Sequence, residues 1–256
     1  MPDPEKQNLL ILGGTTEAAE LAERAVATWG DRLQVITSLA GRVSAHRNLP
    51  GVVRVGGFGG VDGLVKTIKD DRIDFLIDAT HPFAETISSH AYDACLIAEI
   101  PRLTLLRAPW IPDPRRPWID ADSVADAASL LPTVGRRVFL TIGARGLEGF
   151  SKVEGSWFLV RMIEPPRKPL TLPEHKIVVS RPPHSLGDEM KLMEENAIDL
   201  LISKQSGGSI TDTKIVAANR LGVGVVMIGR PLPEPGPTVE TVDEAMGWVE
   251  SLLPQR

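Results

Sequence analysis

Cysteine is almost missing from this 256-residue chain: Cys95 stands alone. A single thiol excludes an internal disulfide and any cysteine-rich metal site. Its setting, the apolar stretch Ala91–Ile100, predicts a buried and inert group rather than a nucleophile. Metal-ligand spacing is lacking as well. The histidines (46, 81, 90, 175, 184) are scattered, with no H-E-x-x-H or C-x-x-C, so no metal site is expected. No G-x-S-x-G nucleophile elbow occurs. The only tyrosine, Tyr92, has no lysine four residues on, which removes the Tyr-x-x-x-Lys pair of small-carbonyl reductases. No apolar run approaches the roughly 20 residues that span a membrane, and Met1–Lys6 has no signal-peptide core. A cytoplasmic protein with no membrane partner is expected. Positive charge is not in excess: 28 Lys and Arg face 33 Asp and Glu, a net charge of -5. That balance argues against general nucleic-acid binding, which needs a basic surface.

What is present is a repeating alternation of short apolar runs and helical patterns. In the first half the pattern predicts strands at Asn8–Leu12, Gln34–Ser38, Val52–Gly56, Ile73–Thr80 and Arg102–Arg107. Helices are predicted at Thr16–Thr28, Val61–Asp70 and Glu85–Glu99. Such alternation implies right-handed crossovers and parallel strands covered on both faces. The proline-rich stretch Ala108–Trp118 reads as a connection. Beyond it the pattern restarts, with helices at Ser123–Leu131, Leu186–Asn196, Thr213–Leu221 and Val242–Leu253. The strands expected there are Arg137–Ile142, Trp157–Ile163, Ile177–Ser180, Ile198–Lys204 and Val223–Ile228. Ile73-Asp74-Phe75-Leu76-Ile77-Asp78 is echoed by Ile198-Asp199-Leu200-Leu201-Ile202-Ser203. The expected fold class is therefore α/β, with two Rossmann-like domains of mainly parallel sheets facing each other across a cleft. Residues 1–112 form the nucleotide-binding domain in this reading, and residues 113–256 the second.

Ligands in such sheets lie beyond the carboxyl ends of the strands, and the polar loops fall there. Leu9-Leu10-Ile11-Leu12 runs into Gly13-Gly14-Thr15-Thr16-Glu17, a strand, a glycine turn and a helix start. Bare amides and the positive end of a helix suit a diphosphate. The G-x-G-x-x-G/A fingerprint is matched at Gly13 and Ala18, with Thr15 in the middle position. The second strand ends without the carboxylate that holds an NAD ribose. It offers Ser38 and Arg42 instead, a hydroxyl and a guanidinium suited to a 2′-phosphate, which favours NADPH. Gly57-Phe58-Gly59 lies in a glycine-rich turn where the backbone lets a flat ligand approach, or is simply a turn. Thr80-His81-Pro82 reads either as a helix start capped by Thr80 or His81 or as the loop beside the nicotinamide. In the second half, Lys204, Ser206, Gly207, Gly208 and Lys214 combine lysines, a hydroxyl and glycines ahead of a helix, an anion site for a carboxylate or phosphate. Arg145, Arg161, Arg181 and His184 are placed to add positive potential.

These segments, in this order and over nearly the whole chain, resemble the precorrin-6A reductases of cobalamin biosynthesis. Asp78-Ala79-Thr80-His81-Pro82-Phe83-Ala84 and Lys204-Gln205-Ser206-Gly207-Gly208 are the most specific parts. The resemblance implies NADPH-dependent reduction of one double bond of the tetrapyrrole precorrin-6A, giving precorrin-6B. It implies Gly13, Gly14, Thr15, Thr16 and Glu17 at the cofactor's diphosphate and ribose, and Ser38 and Arg42 at its 2′-phosphate. Thr80, His81 and Pro82 would flank the nicotinamide. Lys204, Ser206, Gly207, Gly208 and Lys214 would meet the substrate's carboxylates. His81, Lys204 and water are the candidate proton donors. Transient contact with neighbouring pathway enzymes is a further implied partner class. The residues themselves would equally serve a non-catalytic NADP-binding or sensing protein of the same fold.

Overall fold

The computed structural model describes residues 6–40, 49–208 and 212–254. The first elements in chain order are β1 (Gln7–Leu12), α1 (Thr16–Trp29), β2 (Leu33–Leu39), β3 (Val52–Val55), α2 (Val61–Asp70), β4 (Phe75–Asp78), α3 (Glu85–Ala98) and β5 (Arg102–Leu105). Next come β6 (Ile119–Ala121), α4 (Val124–Val134), β7 (Arg137–Leu140), a 3-10 helix (Ala144–Phe150), β8 (Trp157–Met162) and β9 (His175–Val179). The chain ends with α5 (Leu186–Glu195), β10 (Leu200–Lys204), α6 (Thr213–Leu221), β11 (Gly224–Ile228), β12 (Thr238–Val239) and α7 (Val242–Leu252). Two compact units result, Met1–Arg107 with Pro231–Arg256, and Ala108–Arg230.

The first unit holds a sheet in the order β12-β5-β4-β1-β2-β3, parallel at every pairing. Alternation along β1 explains why it is central. Leu9 and Ile11 point into one core with Leu21, Ala22, Ala25 and Trp29 of α1. Leu10 and Leu12 point into the other, with Leu64 and Ile68 of α2 and Ala91, Ala94 and Cys95 of α3. A strand segment buried on both faces must be apolar, as Leu9–Leu12 of β1 is. The second unit repeats the design in the order β6-β11-β10-β7-β8-β9, again all parallel. Phe139, Leu159, Leu201 and Met227 pack there with Met193 of α5 and Ile215, Ala217 and Ala218 of α6.

The expected boundary at 112/113, with everything after it in the second domain, needs correction. The division falls at Arg107, and the chain returns to the first unit from Pro231. The reason is the apolar stripe of α7. Val242, Ala245, Val249 and Leu253 close the same core as α1, and Trp248 meets Phe75 edge-on at 5.9 Å. Strand β12 pairs Thr238 with Thr104 of β5 and extends the first sheet. It is only two residues long and follows a run of alternating prolines, so it carries no periodic signal of its own.

Candidate functional site

Strand order reverses in the first unit between β1 and β4. At such a point the loops leaving adjacent carboxyl ends diverge and open a crevice. The two loops here are Gly13-Gly14-Thr15 and Ala79-Thr80-His81-Pro82. Three hydrogen bonds knit its floor: Ala79 N–H to Leu12 O (3.0 Å), Gly13 N–H to Ser38 O (2.9 Å) and Thr15 Oγ1–H to Ala79 O (2.7 Å). Thr15 also caps α1, its Oγ1 accepting from Ala18 N–H at 3.1 Å. One hydroxyl thus starts the helix and ties β1 to β4, which explains a threonine where the dinucleotide fingerprint has glycine. The two glycines before it differ in kind. A Cβ on Gly13 would sit 3.1 Å from Thr37 Cγ2, so this position is bare for packing. Gly14 has φ +115° and, among the described residues, nothing within 4 Å of a notional Cβ, so it leaves open space above the turn. Glu17, in the first turn of α1, pairs with Arg107 at 2.9 Å.

Beside the crevice, β2 and β3 carry a second set of groups. Ser38 is buried near the end of β2. Arg54 of β3 lays its guanidinium 3.9 Å from the centroid of Phe58. It donates from Nη1 to Gly56 O (2.8 Å) and Ser38 Oγ (3.4 Å), and from Nη2 to Gly57 O (3.0 Å). The glycine turn depends on conformations only glycine adopts easily: φ is +120° at Gly56, +85° at Gly59 and +96° at Gly60. Among the described residues, none has an atom within 4 Å of a notional Cβ on Gly56, Gly57, Gly59 or Gly60. Arg42 lies outside the described residues. Arg54 was not anticipated, although a lone charge inside Val52-Val53-Arg54-Val55, directly ahead of the glycines, was a visible signal.

Neither Thr80 nor His81 caps the helix after β4, which starts at the expected residue. Helix α3 begins at Glu85, and its N-cap Ala84 makes no side-chain cap. The reason is a prior commitment of the side chains. Thr80 is held back by buried Asp78, whose Oδ1 accepts from Thr80 N–H (3.1 Å) and Oγ1–H (2.7 Å). His81 O accepts from Ala84 N–H (2.7 Å), closing a turn over Pro82 and Phe83. The exposed His81 ring accepts at Nδ1 from Phe83 N–H (3.2 Å), so a neutral ring in this contact carries its proton on Nε2. Asp78, Thr80, His81, Pro82, Arg102 and Thr104 line a small cavity of about 90 Å³. Arg102 is buried there and donates to Thr104 Oγ1 (2.8 Å) and Pro235 O (2.7 Å). Cys95 is buried, and that burial pushes its thiol up to about 12, which keeps it in the neutral form.

In the second unit the order reverses between β7 and β10. Thr141 bridges the two strands, its N–H (3.0 Å) and Oγ1–H (3.1 Å) both donating to Ile202 O. Lys204-Gln205-Ser206-Gly207-Gly208 leaves β10 at this point and is firmly braced. The Gln205 amide clamps Trp110, accepting from its N–H and donating to its O, each at 3.0 Å. Trp110 Nε1–H donates to Gly208 O (2.6 Å), and Arg230 Nε–H to Gln205 O (2.7 Å). Lys214 is 8 % exposed and sits 4.9 Å from the Trp110 ring centroid. The expected positive field from Arg161 and Arg181 is offset locally. Arg161 makes a bidentate pair with Glu189 (2.6 and 2.9 Å), and Arg181 meets Glu164 at 3.0 Å. Burial, and then Arg161, hold the His184 imidazole below its ordinary range. Arg145 is exposed in the turn that follows β7.

The fold therefore gathers Gly13, Gly14, Thr15, Thr16 and Glu17 with Thr80, His81 and Pro82 at one end of one sheet, flanked by Ser38, Gly57, Phe58 and Gly59. It gathers Lys204, Ser206, Gly207, Gly208 and Lys214 at the corresponding end of the other. Among the described residues no cluster of His, Cys, Asp and Glu could hold a metal ion. No described helix is long and apolar enough to cross a membrane.

Comparison with known proteins places this arrangement. The family described as Precorrin-6x reductase CbiJ/CobK matches residues 8–250. A precorrin-6A reductase of Rhodococcus erythropolis is 45 % identical over 95 % of this chain and 98 % of its own. One from Sinorhizobium is 42 % identical over 97 % and 95 %. A solved structure, CobK precorrin-6A reductase, superposes with a TM-score of 0.87 at 36 % identity, covering 96 % of each chain. With nearly its whole length accounted for and both sheets in the same fold, the chain belongs to the precorrin-6x reductase family.

Proposed function

We propose that this chain reduces a C=C bond of precorrin-6A in cobalamin biosynthesis, with NADPH as hydride source. Family membership over residues 8–250 carries the reaction. The crevice where β1 and β4 part carries the cofactor, because its residues fit a dinucleotide by shape and charge. The space over Gly14 is open, and the amides of Gly14, Thr15 and Thr16 stand at the positive end of the 14-residue α1. That end bears roughly half a positive charge, suited to a diphosphate. The Glu17 carboxylate, which would repel the phosphates, is neutralised by Arg107 and left able to accept from a ribose hydroxyl. Ser38 and Arg42 take the 2′-phosphate, and Gly57-Phe58-Gly59 the adenine side.

When bound, the nicotinamide supplies the hydride; the protein supplies position, exclusion of water and a proton. Asp78 fixes Thr80, and the turn over Pro82 fixes His81, so the ring presents Nε2–H as proton donor. Lys204, Ser206, Gly207, Gly208 and Lys214 hold the carboxylates of the tetrapyrrole. A cytoplasmic location and transient contact with neighbouring pathway enzymes belong to the same proposal. The test is anaerobic incubation with precorrin-6A, followed at the nicotinamide absorbance band. NADPH should be consumed only when the tetrapyrrole is present. No consumption would refute the reaction, and equal consumption of NADH would refute the cofactor assignment.

A further inference from the structure

We infer that Arg54 is a specificity-determining residue that reads the 2′-phosphate of the cofactor, an inference that rests on the NADPH reading above. The first observation is position. The guanidinium lies beside the carboxyl ends of β2 and β3, touching Ser38 Oγ and the carbonyls of Gly56 and Gly57. In sheets of this order, the side chain at the end of β2 sorts NAD from NADP. The second is charge. All three acceptors are neutral, and Arg54 forms no ion pair among the described residues, in contrast to Arg107, Arg161 and Arg181. A cation held against carbonyls keeps its full attraction for an anion. The third is preorganisation. Stacking on Phe58 at 3.9 Å fixes the guanidinium plane. The three bonds account for both Nη1 hydrogens and one on Nη2, leaving a second Nη2 hydrogen and the Nε hydrogen of a fork that binds phosphate oxygens in pairs. Ser38 Oγ accepts from Arg54, which leaves its own hydroxyl hydrogen available to donate.

A merely structural Arg54 would brace the glycine turn and affect every nucleotide alike. A 2′-phosphate reader affects only phosphorylated ones. The experiment compares binding of 2′,5′-ADP and 5′-ADP by calorimetry in the full chain. Arg54→Gln keeps amide donors for the carbonyls but removes the charge, and Arg54→Lys keeps the charge without the fork. Wild type is expected to prefer 2′,5′-ADP. Arg54→Gln should weaken that ligand by about 10- to 100-fold, the range for a charged hydrogen bond, with 5′-ADP changed less than about twofold. Arg54→Lys should fall between. An equal loss for both ligands overturns the inference and makes Arg54 a loop brace. A wild-type preference that survives intact in Arg54→Gln also overturns it while leaving the NADPH reading standing. A wild type that binds both equally overturns the cofactor reading and this inference together.

Discussion

Replacing Thr15 tests why this chain departs from the dinucleotide fingerprint. Thr15→Gly would restore the consensus, and fingerprint matching alone expects it to be harmless or helpful. The structure predicts the opposite. Thr15 has φ -111° and ψ 169°, an extended conformation that needs no glycine. Glycine costs only a few tenths of a kcal/mol as an N-cap. It also gives up the bond from Oγ1 to Ala79 O, worth about 1 kcal/mol, and frees the unfolded backbone by about 0.5–1 kcal/mol. The sum is about 2 kcal/mol. Thr15→Ala reaches a similar figure by another route, about 1 kcal/mol for the cap and about 1 kcal/mol for the bond. Thr15→Ser keeps both contacts and should stay within about 0.5 kcal/mol of wild type. Urea unfolding of the set gives the total, and hydrogen exchange resolved over peptides spanning 9–30 and 75–82 shows where protection is lost. Loss confined to the start of α1 would reduce Thr15 to an ordinary cap. A Thr15→Gly protein as stable as wild type would refute the tie between β1 and β4.

Other consequences follow from contacts away from the crevice. Cys95, with its thiol raised to about 12 by burial, should resist a disulfide reagent at pH 8 in native protein and react once unfolded in urea; rapid native labelling would contradict its burial. Glu189→Ala leaves the Arg161 guanidinium, already with a buried unpartnered Nε, without its carboxylate. It should destabilise the second unit by about 3–5 kcal/mol in denaturant titration, and a paired change of both residues to leucine by much less. Glu244 accepts from the Thr241 hydroxyl and from the backbone N–H groups of Glu240 and Thr241, which holds its carboxyl below 4.5. A depressed folded pKa stabilises above the unfolded value and is lost as pH falls through the folded one. The exchange protection of α7 should therefore differ between wild type and Glu244→Ala at neutral pH and converge on acidification. In steady-state assays His81→Gln should lower kcat by about 100-fold or more, whereas Lys204→Ala should chiefly raise KM for the tetrapyrrole.

Periodicity makes the layered α/β architecture legible, and α2 and α6 match their expected bounds because each is flanked by glycine or polar turns. What was illegible depends on contacts distant in sequence. Strand β6 is three residues and β12 two, too short for any alternation to register. The return of α7 to the first unit is decided by which core its stripe completes, and an amphipathic helix has the same pattern wherever it docks. A cap at Thr80 or His81 looked available because Pro82 suits a first helical turn, while the competing bonds from Thr80 to Asp78 are a matter of three dimensions. Arg161 looked like free positive charge because its partner, Glu189, is 28 positions away.

Glycine-rich composition turns out to mean two different things in the two units. In the first, Gly14, Gly56, Gly57 and Gly59 have nothing among the described residues within 4 Å of a notional Cβ, so the missing side chains leave open space there. In the second, a Cβ on Gly207 would fall 2.2 Å from both Ala108 O and Arg230 Nη2, so the missing side chain is already filled by the chain's own brace. The same residue type leaves one loop open and locks the other. That difference assigns different work to the two sheet ends. The first exposes bare backbone, as the diphosphate of a carrier requires. The second offers rigidity and side-chain charge, with Lys204 at the end of a strand whose following residues are pinned by Trp110 and Arg230. A polycarboxylate is recognised by cations held at fixed spacing, and a pinned loop holds them so. Of the residues proposed as anion binders in the second loop, Lys204 and Ser206 are the ones whose side chains would serve that purpose, whereas Gly207 lets the brace close.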